Sequence, residues 1–420
     1  MRTPDYSRRV VVTGLGVISP VGNDKQTAWD NLIRGKSGLG EITRFDVSRY
    51  EAKVAGEVKD FVPSEWLDAK AIRRTEISLQ YGVAAAKQAV ADSGFEINDE
   101  NRTEVGVVFG SGAGGQQLMI DSWRTLQEKG PRAVPPTFIA NGLVDSTSGM
   151  IAIETGAIGH NICIVSACAT GTHNVAEGAE AIRRGDCIAV ISGSSEMPLL
   201  EVAHAGFGNM RGLGMPRPGE GLETVSRPFD KTRDGFVLGE GAGSLFLEDL
   251  ELAKARGAHI YAEVVGYGSA ADGWDMIQPV EGGAGSARAM KMALDRRGVP
   301  ADEVDVINPH GTSTPLGDKR EAEAIWTVFG DHTPKIGISA TKSMTGHMMG
   351  AAGAFEAFAT VMAVAEQCVP PTINYRESDP ECNLWVIDEA TPMNVRYALS
   401  NNIGLGGHNG AVIFRRYDGD

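Results

Sequence analysis

The sequence predicts a protein of the α/β class that is built from two similar halves. Short apolar runs rich in β-branched residues alternate with longer segments whose apolar residues recur at helical spacing. This rhythm occupies residues 1–257 and is repeated over residues 258–420. Such alternation is typical of mostly parallel sheets covered by helices. We therefore predict two layered α/β halves packed against each other.

The composition restricts the class of protein further. Of the 420 residues, 42% are hydrophobic and 22% are charged, as in ordinary globular proteins. The formal net charge of −15 argues against general nucleic-acid binding, but a local basic patch is compatible with it. The N-terminal apolar run is interrupted by glycines and lacks an obvious cleavage site, and no stretch approaches the ~18 apolar residues of a membrane span. We expect neither a nucleic-acid nor a membrane partner.

The cysteines indicate the compartment. Five of them, at positions 163, 168, 187, 368 and 382, form no Cys-x-x-Cys pair and no disulfide-dense pattern. We therefore expect no metal cluster and no secreted disulfide scaffold. A reducing cytoplasm fits this pattern.

The first half begins with a predicted strand over 9–17 and a helix over 25–34. Further along, the pattern predicts helices over 71–93 and 143–154, strands over 105–109, 162–165, 187–192 and 241–247, and a long, mostly irregular segment over 203–233. Loops of that length in a compact domain usually cover a site.

Two glycine clusters follow strands of the first half. Gly14-x-Gly16 and Gly110-Ser-Gly-Ala-Gly-Gly115 both resemble a dinucleotide-binding turn, but neither has the required glycine spacing. We expect these glycines to let the backbone pass close to another element or to a ligand.

The second half repeats the rhythm of the first. The pattern predicts strands over 261–267, 304–308, 336–339, 397–401 and 410–415, and helices over 286–297, 320–329 and 350–365.

Cys168 lies between a predicted strand and a predicted helix. The free N–H groups and the positive dipole end of that helix favour a thiolate, which predicts a lowered pKa for Cys168. Small neighbours such as Ser166 and Gly171 leave the sulfur open to a substrate. A nucleophile and a buried, inert cysteine are both compatible with this stretch alone.

Three motifs of the second half place polar groups just after predicted strands. They contain His310, His347 and the pair His408-Asn409, each next to glycines. Ligands of α/β folds gather at the carboxyl ends of strands, so these motifs and Cys168 are expected at one pocket. A core histidine is the alternative for each one alone. Zinc is disfavoured because no second cysteine or carboxylate shares a motif with them.

A basic cluster marks the start of the predicted helix 71–93. Lys70, Arg73 and Arg74 stand where cations oppose the helix dipole. The cluster is compatible with a docking surface for an anion and with a merely solvated face.

Four motifs together carry a resemblance to a known family. Ser166-Ala-Cys168-Ala-Thr-Gly, His310-Gly-Thr-Ser-Thr-Pro, Lys342-Ser-Met-Thr-Gly-His347 and Gly404-Leu-Gly-Gly-His-Asn resemble the signature of the β-ketoacyl-acyl carrier protein synthases, most closely the type II enzymes of dissociated fatty acid synthesis. The resemblance runs from about Arg8 to Arg415. It implies the thiolase fold, which has two pseudo-symmetric halves in a five-layered α/β/α/β/α sandwich, and a homodimer.

The resemblance also implies roles for the chemical groups. Cys168 resembles the acyl-accepting nucleophile, and His310 and His347 resemble the pair that stabilises the enolate formed by decarboxylation. Two N–H donors on the thioester oxygen lower that barrier as an oxyanion hole does. The backbone N–H groups of Cys168 and Leu405 are implied as a second oxyanion site. Lys342 resembles the family's structural and electrostatic lysine.

Further residues follow from the same resemblance. Glu356 is implied as the partner of Lys342 on the following helix. Substrates arrive on the phosphopantetheine of acyl carrier protein, so no separate cofactor is expected. The remaining positions implied are a pantetheine channel at Thr312 and Thr314, an acyl pocket at Ala113, Phe138 and Phe207, and carrier-protein docking at Lys70, Arg73, Arg74 and Arg211.

The chain departs from the family pattern at four positions. Leu405 stands where a gating phenylalanine is usual, and His408 stands where threonine is usual. Pro309 replaces the commoner alanine, and Ala113 occupies the place of a larger residue that narrows the acyl pocket in many relatives. These departures bear on gating and chain length rather than on the chemistry.

Three functions remain open from the sequence. The first is an elongating condensing enzyme of fatty acid synthesis. The others are a ketosynthase of a type II polyketide pathway and a non-catalytic partner subunit resembling a chain-length factor. Inactive partners lack the cysteine, so Cys168 favours an enzyme. An initiator primed by coenzyme A is expected to carry Cys-His-Asn, and His347 argues against it.

Overall fold

The computed structural model describes residues 5–419. In the first part of the chain the elements are β1 Val10–Ile18, α1 Lys25–Ile33, β2 Leu39–Glu41, β3 Val54–Gly56, α2 Ala69–Ile72, α3 Ile77–Ser93, β4 Val105–Gly110, α4 Gln116–Lys129, α5 Phe138–Gly142, α6 Ser146–Thr155, β5 Asn161–Ile162, α7 Thr170–Arg184, β6 Ala189–Glu196, α8 Glu201–Asn209, β7 Leu238–Gly239, β8 Gly241–Asp249 and α9 Leu250–Ala255. In the second part they are β9 Ala262–Ala271, α10 Ala284–Asp295, β10 Val304–Asn308, α11 Pro315–Phe329, β11 Gly337–Ile338, α12 Lys342–Thr345, α13 Ala352–Glu366, β12 Cys368–Val369, β13 Thr391–Pro392, β14 Tyr397–Gly404 and β15 His408–Arg415.

Ten strands form one large sheet in the order β11-β10-β14-β15-β9-β1-β8-β6-β4-β5. The first five of these come from the second part of the chain and the last five from the first part. Outward from the β9–β1 junction, each set shows two antiparallel pairings followed by two parallel ones. The junction is short, because β1 and β9 pair over only three residues each. The two halves therefore share one strand pattern.

The sheet is mixed, which corrects the expectation of mostly parallel strands. Strands β14 and β15 are joined by the short turn 405–407, and so short a connection can join only antiparallel neighbours. Strand β8 also inserts antiparallel between β6 and β1. Periodicity shows where strands lie along the chain, but the strand direction depends on pairing between distant segments.

The helices form layers on the sheet. Helix α3 packs on β1, β8 and β6, and helix α10 packs on β9 and β15. Helices α7 and α13 pack against each other, and each also contacts strands of both halves. The two five-stranded parts of the sheet thus act as two layers, with α7 and α13 between them and α3 and α10 outside. This arrangement agrees with the helix–sheet–helix–sheet–helix order of the thiolase fold. The central helices begin next to the residues of the candidate site.

Small residues allow the central layers to approach closely. An added Cβ at Gly243 of β8 lies 2.5 Å from the Ala354 carbonyl carbon of α13, and one at Gly171 of α7 lies 2.4 Å from the Ala354 nitrogen. Gly14 and Gly16 play the same part in β1, where an added Cβ lies 2.0 Å from carbonyl oxygens of α3. The predicted close backbone approach is therefore confirmed for this first cluster.

Helix α13 is the core helix of the molecule. The segment Met349–Glu366 is long and apolar enough to cross a membrane by length and composition, which the sequence analysis did not anticipate. However, 83% of this segment is buried inside the protein. Its apolar character is that of a helix surrounded by other elements.

The predicted helix over 71–93 is two helices. The chain leaves the helical conformation at Glu76, whose backbone is extended (φ −74°, ψ 161°). The Gln80 side chain donates hydrogen bonds to the carbonyls of Ile72 and Thr75, so the break leaves those acceptors satisfied. Lys70 thus lies in a four-residue helix with Arg73 and Arg74 just after it, and the argument from the dipole of a long helix is wrong.

Other bounds differ by smaller amounts. Strand β5 is shorter than predicted, because the chain turns away before Cys168. Helix α8 occupies part of the segment expected to be irregular, and α4 follows the second glycine cluster, where no helix was expected.

Candidate active site

Cys168 lies in a tight 3-10 turn, Ala167–Ala169, directly before α7. Ala167 adopts a left-handed conformation (φ 50°), and the Thr170 hydroxyl accepts a hydrogen bond from the Ser166 N–H. Cys168 is buried but lines a cavity of about 430 Å³. Leu405 lines the same cavity, and the backbone N–H groups of Leu405 and of Cys168 itself act to lower the pKa of the thiol. Both donors implied by the family resemblance therefore lie beside this thiol.

The thiol is harder to ionise than the sequence analysis expected. Burial raises the pKa of Cys168 to about 11, although the Leu405 N–H and the charge of Lys342 act in the opposite direction. The predicted lowering of the pKa is therefore wrong. The desolvation that raises the pKa outweighs the effect of the helix N-terminus that would lower it. The extent of desolvation depends on tertiary packing and cannot be inferred from a local sequence pattern. Cys168 is a thiol at neutral pH and must release its proton when it attacks a substrate.

His310 and His347 line the same cavity as Cys168. Their rings stand perpendicular with centroids 5.1 Å apart. Burial, together with the nearby charge of Lys342, holds the pKa of each ring well below its ordinary value. Both rings are consequently neutral at physiological pH. A neutral imidazole with one N–H can donate a hydrogen bond to a substrate oxygen.

The loop that carries His310 is fixed by a buried carboxylate. Glu321 of α11 accepts hydrogen bonds from the backbone N–H of His310 at 2.6 Å and from that of Gly311 at 2.7 Å. Glu321 accepts a third hydrogen bond from the side-chain amide of Asn401, at 2.7 Å. Glu321 was missed by the sequence analysis, since it lies eleven residues beyond His310 on the next helix.

Lys342 and Glu356 form a buried ion pair. The Lys342 ammonium donates to the Glu356 carboxylate, and each residue is only 1% exposed. The partnership implied by the resemblance is therefore present in the structure. Burial raises the pKa of Glu356, and Lys342 opposes this effect. The lysine charge in turn disfavours protonation of the two neighbouring histidines.

Asn402 connects this ion pair to His310. Its amide nitrogen donates to the second oxygen of Glu356 at 2.7 Å and to Nδ1 of His310 at 3.3 Å, while its oxygen accepts from the Thr172 hydroxyl. A carboxylate only accepts hydrogen bonds, so the amide orientation is fixed chemically. Because Nδ1 of His310 is the acceptor, its proton resides on Nε2. The sequence analysis assigned no role to Asn402, which lies two residues before the motif that begins at Gly404.

The same cavity contains the other predicted groups. Thr312 and Thr314 line it with their hydroxyl oxygens 3.2 Å apart, and the exposed Arg211 lines it as well. Leu405 is also part of this lining, whereas His408 is exposed at the start of β15.

A second cavity of about 320 Å³ adjoins the first through Phe207, Met210 and Met349, which line both. Ala113 lines this cavity, so two of the three predicted acyl-pocket residues are found here.

Phe138 is the exception among the acyl-pocket residues, because it lines neither cavity. The C-terminal end of α5 contacts the loop that contains Ala113, because the Gly142 carbonyl accepts a hydrogen bond from the Gly115 N–H. Phe138 is the first residue of α5 and is thereby held away from the pocket of its own chain.

The predicted docking cations lie on the surface. Lys70, Arg73 and Arg74 are exposed and line neither cavity. Of the predicted docking residues only Arg211 reaches the site. Over residues 5–419, no group of three or more His, Cys, Asp or Glu side chains is arranged to hold a metal ion.

Comparisons with known families identify the class of protein. The family model described as "Beta-ketoacyl synthase, N-terminal domain" matches residues 7–253, and "Beta-ketoacyl synthase, C-terminal domain" matches residues 261–376. The chain belongs to the β-ketoacyl synthase family.

Individual relatives match along their whole length. The 3-oxoacyl-[acyl-carrier-protein] synthase 2 of Staphylococcus aureus (strain N315) is 42% identical over 98% of this chain and 99% of that protein. The protein of the same name from Coxiella burnetii is 45% identical over 97% of this chain and 99% of its own length.

Solved structures confirm the thiolase-like ketosynthase fold. The ishigamide ketosynthase/chain length factor superposes with a TM-score of 0.89 at 37% identity, covering 98% of this chain and 99% of that one. A type II polyketide acyl-carrier protein in complex with its ketosynthase gives a TM-score of 0.89 at 31% identity, covering 99% of this chain and all of that one.

Removing the Asn402 amide should impair the decarboxylation that is characteristic of this family. In Asn402→Ala, His310 loses the donor that keeps its proton on Nε2. We expect malonyl decarboxylation to slow by about tenfold, since losing an oxyanion donor outright costs ~10²–10³ in rate. Acyl transfer to Cys168 should be preserved, and release of labelled CO₂ and mass spectrometry of the acyl-enzyme measure the two steps.

Thr172→Val is the matched control for this experiment. It removes the hydrogen bond to the Asn402 oxygen but leaves the bond to His310 in place. We expect less than a threefold effect on decarboxylation. Equal losses in the two variants would contradict the assigned role of Asn402.

Proposed function

We propose that the protein is an elongating condensing enzyme of fatty acid synthesis. It joins an acyl group held on Cys168 to the two-carbon unit of malonyl-acyl carrier protein, with loss of CO₂, and gives 3-oxoacyl-acyl carrier protein. The observation that carries this proposal is the convergence of Cys168, two neutral imidazoles and two backbone N–H donors on one cavity. The relatives named 3-oxoacyl-[acyl-carrier-protein] synthase 2 support it.

In the first half-reaction the enzyme accepts the acyl chain. The sulfur of Cys168 loses its proton and attacks the thioester carbonyl of acyl carrier protein. The oxygen of the tetrahedral intermediate receives hydrogen bonds from the backbone N–H groups of Cys168 and Leu405. Collapse of the intermediate expels the carrier thiolate, which takes up a proton, and leaves the acyl chain on Cys168.

In the second half-reaction the malonyl thioester enters along Thr312 and Thr314. Its carbonyl oxygen accepts hydrogen bonds from His310 and His347. Breaking the bond to the carboxylate releases CO₂ and places the electron pair on this oxygen as an enolate. The enolate carbon attacks the acyl carbonyl on Cys168, and collapse of the second tetrahedral intermediate returns the Cys168 thiolate, which is reprotonated. Neutral histidines suit this step because they donate without a prior change of charge.

The alternatives have less support. One similar solved structure is a ketosynthase/chain length factor and another is a type II polyketide ketosynthase, but at 37% and 31% identity they are more distant than the 3-oxoacyl-[acyl-carrier-protein] synthases at 42–45%. A non-catalytic partner subunit has no need for the preserved cysteine and histidines. We propose no cofactor beyond the phosphopantetheine that carries the substrates.

The two half-reactions should separate by mutation. Cys168→Gln removes the nucleophile but leaves both histidines, so it should still decarboxylate malonyl-acyl carrier protein while forming no ketoacyl product. His310→Ala should lose decarboxylation by roughly 10²-fold or more and still accept an acyl group. CO₂ release and product mass are the measurements. Loss of both half-reactions in a folded Cys168→Gln variant would contradict the proposal.

We infer that the growing acyl chain occupies the cavity beside Ala113. Each methylene buried there contributes about 0.8 kcal/mol where space exists. Ala113→Phe fills this space, so it should keep activity on short chains and lose at least tenfold in kcat/KM on long ones. Ala113→Val adds less volume, so it should change the ratio of short-chain to long-chain kcat/KM less than Ala113→Phe does. An unchanged ratio of short-chain to long-chain efficiency in both variants would show that residue 113 does not border the chain.

We propose that the acidic carrier protein docks on Lys70, Arg73 and Arg74, helped by Arg211 at the cavity. With a net charge of −15, attraction must come from a local patch. The double variant Lys70→Glu/Arg74→Glu should raise KM for carrier-bound substrate by several-fold and leave a small thioester analogue unaffected. Lys335→Glu, an exposed lysine elsewhere, is the control. Unchanged kinetics in the double variant would place docking elsewhere.

We propose that the enzyme is a homodimer in the cytoplasm. Among the described residues, β5 pairs on one side only, so it presents an open sheet edge. Exposed apolar side chains surround it: Met119, Trp123, Ile139, Leu143, Ile153 and Ile158. A second copy bound at this edge would cover both features. Sedimentation velocity should show about twice the chain mass of 44.5 kDa, and a monomer at micromolar concentration would refute the dimer.

A further inference from the structure

A third cavity lies away from the active site. It has a volume of about 440 Å³ and lies between the C-terminal ends of α7 and α10, beside β9. Cys168 precedes the other end of α7, roughly 20 Å away for a helix of this length. The cavity is also at the centre of the sheet, whereas β5 lies at its edge. It therefore belongs neither to the active site nor to the proposed dimer face.

Four arginines line this cavity in a strongly acidic protein. They are Arg183 and Arg184 from α7, and Arg296 and Arg297 from the segment after α10. Both halves of the chain thus contribute to one basic surface. Placing so many cations together costs electrostatic energy unless anions compensate them.

The carboxylates nearby do not compensate all four charges. Arg184 is balanced by Glu177 and Asp186. Arg183 and Arg297 share the single carboxylate of Glu180, at 2.6 and 4.0 Å.

Arg296 has no acidic partner among the described residues. It instead stacks its guanidinium on the ring of Tyr267, 3.9 Å from the centroid. Counted together, the four guanidinium groups face the three carboxylates of Glu177, Glu180 and Asp186, which leaves an excess of one positive charge.

Arg183 gives a second, independent sign of an absent partner. Its side chain is 98% buried, yet its Nε–H has no hydrogen-bond acceptor within residues 5–419. A buried charged donor without an acceptor is unfavourable, and such groups are rare in folded proteins. Arg183 also lines the cavity, so an anion bound there lies beside its guanidinium group.

We infer that this cavity binds the phosphate group of a small soluble molecule. A phosphate group carries about 1.5 to 2 negative charges near neutral pH, which is enough to compensate the excess of positive charge around the cavity. Its oxygens match the fork of a guanidinium group, and arginine is the residue best suited to such contacts. Because the ligand contacts residues of both halves, binding favours the folded state and raises its stability.

Inorganic pyrophosphate is the probe for this site. We would titrate it by isothermal calorimetry at constant ionic strength into the wild type and into the double variant Arg296→Gln/Arg297→Gln. Both side chains are at least partly exposed, so the fold should be preserved. The dissociation constant should rise at least tenfold in the double variant. Pyrophosphate should also raise the thermal unfolding midpoint of the wild type but not that of the variant.

Lys291→Gln is the matched control. This exposed lysine lies on α10 but does not line the cavity, and its replacement removes one positive charge from the same helix. Its dissociation constant should stay within twofold of the wild type. The inference is overturned if the wild type binds no pyrophosphate, if the double variant binds as well as the wild type, or if Lys291→Gln loses as much affinity as the double variant.

Discussion

The buried ion pair of Lys342 and Glu356 is the interaction on which the active site depends. Removing one member of such a pair leaves an uncompensated charge in the core, at a cost of ~3–5 kcal/mol. The pair also contributes to the chemistry, because the lysine charge adds to the effect of burial in keeping both histidines neutral, and the carboxylate holds the Asn402 amide against His310. The direction of the His310 donor at the enolate site thus depends on this ion pair. At Cys168 the lysine charge acts against desolvation, and desolvation prevails.

Close packing places these groups within reach of one another. Helix α7 presents Cys168 at its start, and α13 carries Glu356 in its middle. They approach closely because glycines such as Gly171 and Gly353 stand where a Cβ would collide with the opposing backbone or side chains. The nucleophile comes from one half of the chain, and His310 and His347 come from the other. The site therefore exists only when the two halves are packed together. Side chains larger than glycine at these contacts would push the halves apart and separate the reactive groups.

Much of the fold and site could be predicted, and the errors share a cause. Cys168, His310 and His347 were expected at one pocket because each follows a strand or a turn, and the structure brings them together. The pKa of Cys168 was expected to be low and is raised by burial. Phe138 was expected in the pocket and lies at the far end of α5. The first expectation came from a local pattern and the second from the family resemblance, and in both cases the packing of distant segments decided the outcome.

The sequence by itself determined the order of strands and helices, the two-fold repeat and the motifs that carry the reactive groups. These features follow from periodicity and from residue types that are close together in the chain. Only the tertiary structure decided strand direction, the tautomer of His310, the protonation of Cys168 and the joining of arginines from α7 and α10 in one cavity. Each of these depends on burial or on Coulomb interactions between residues far apart in sequence, and both are properties of the packed molecule rather than of any segment.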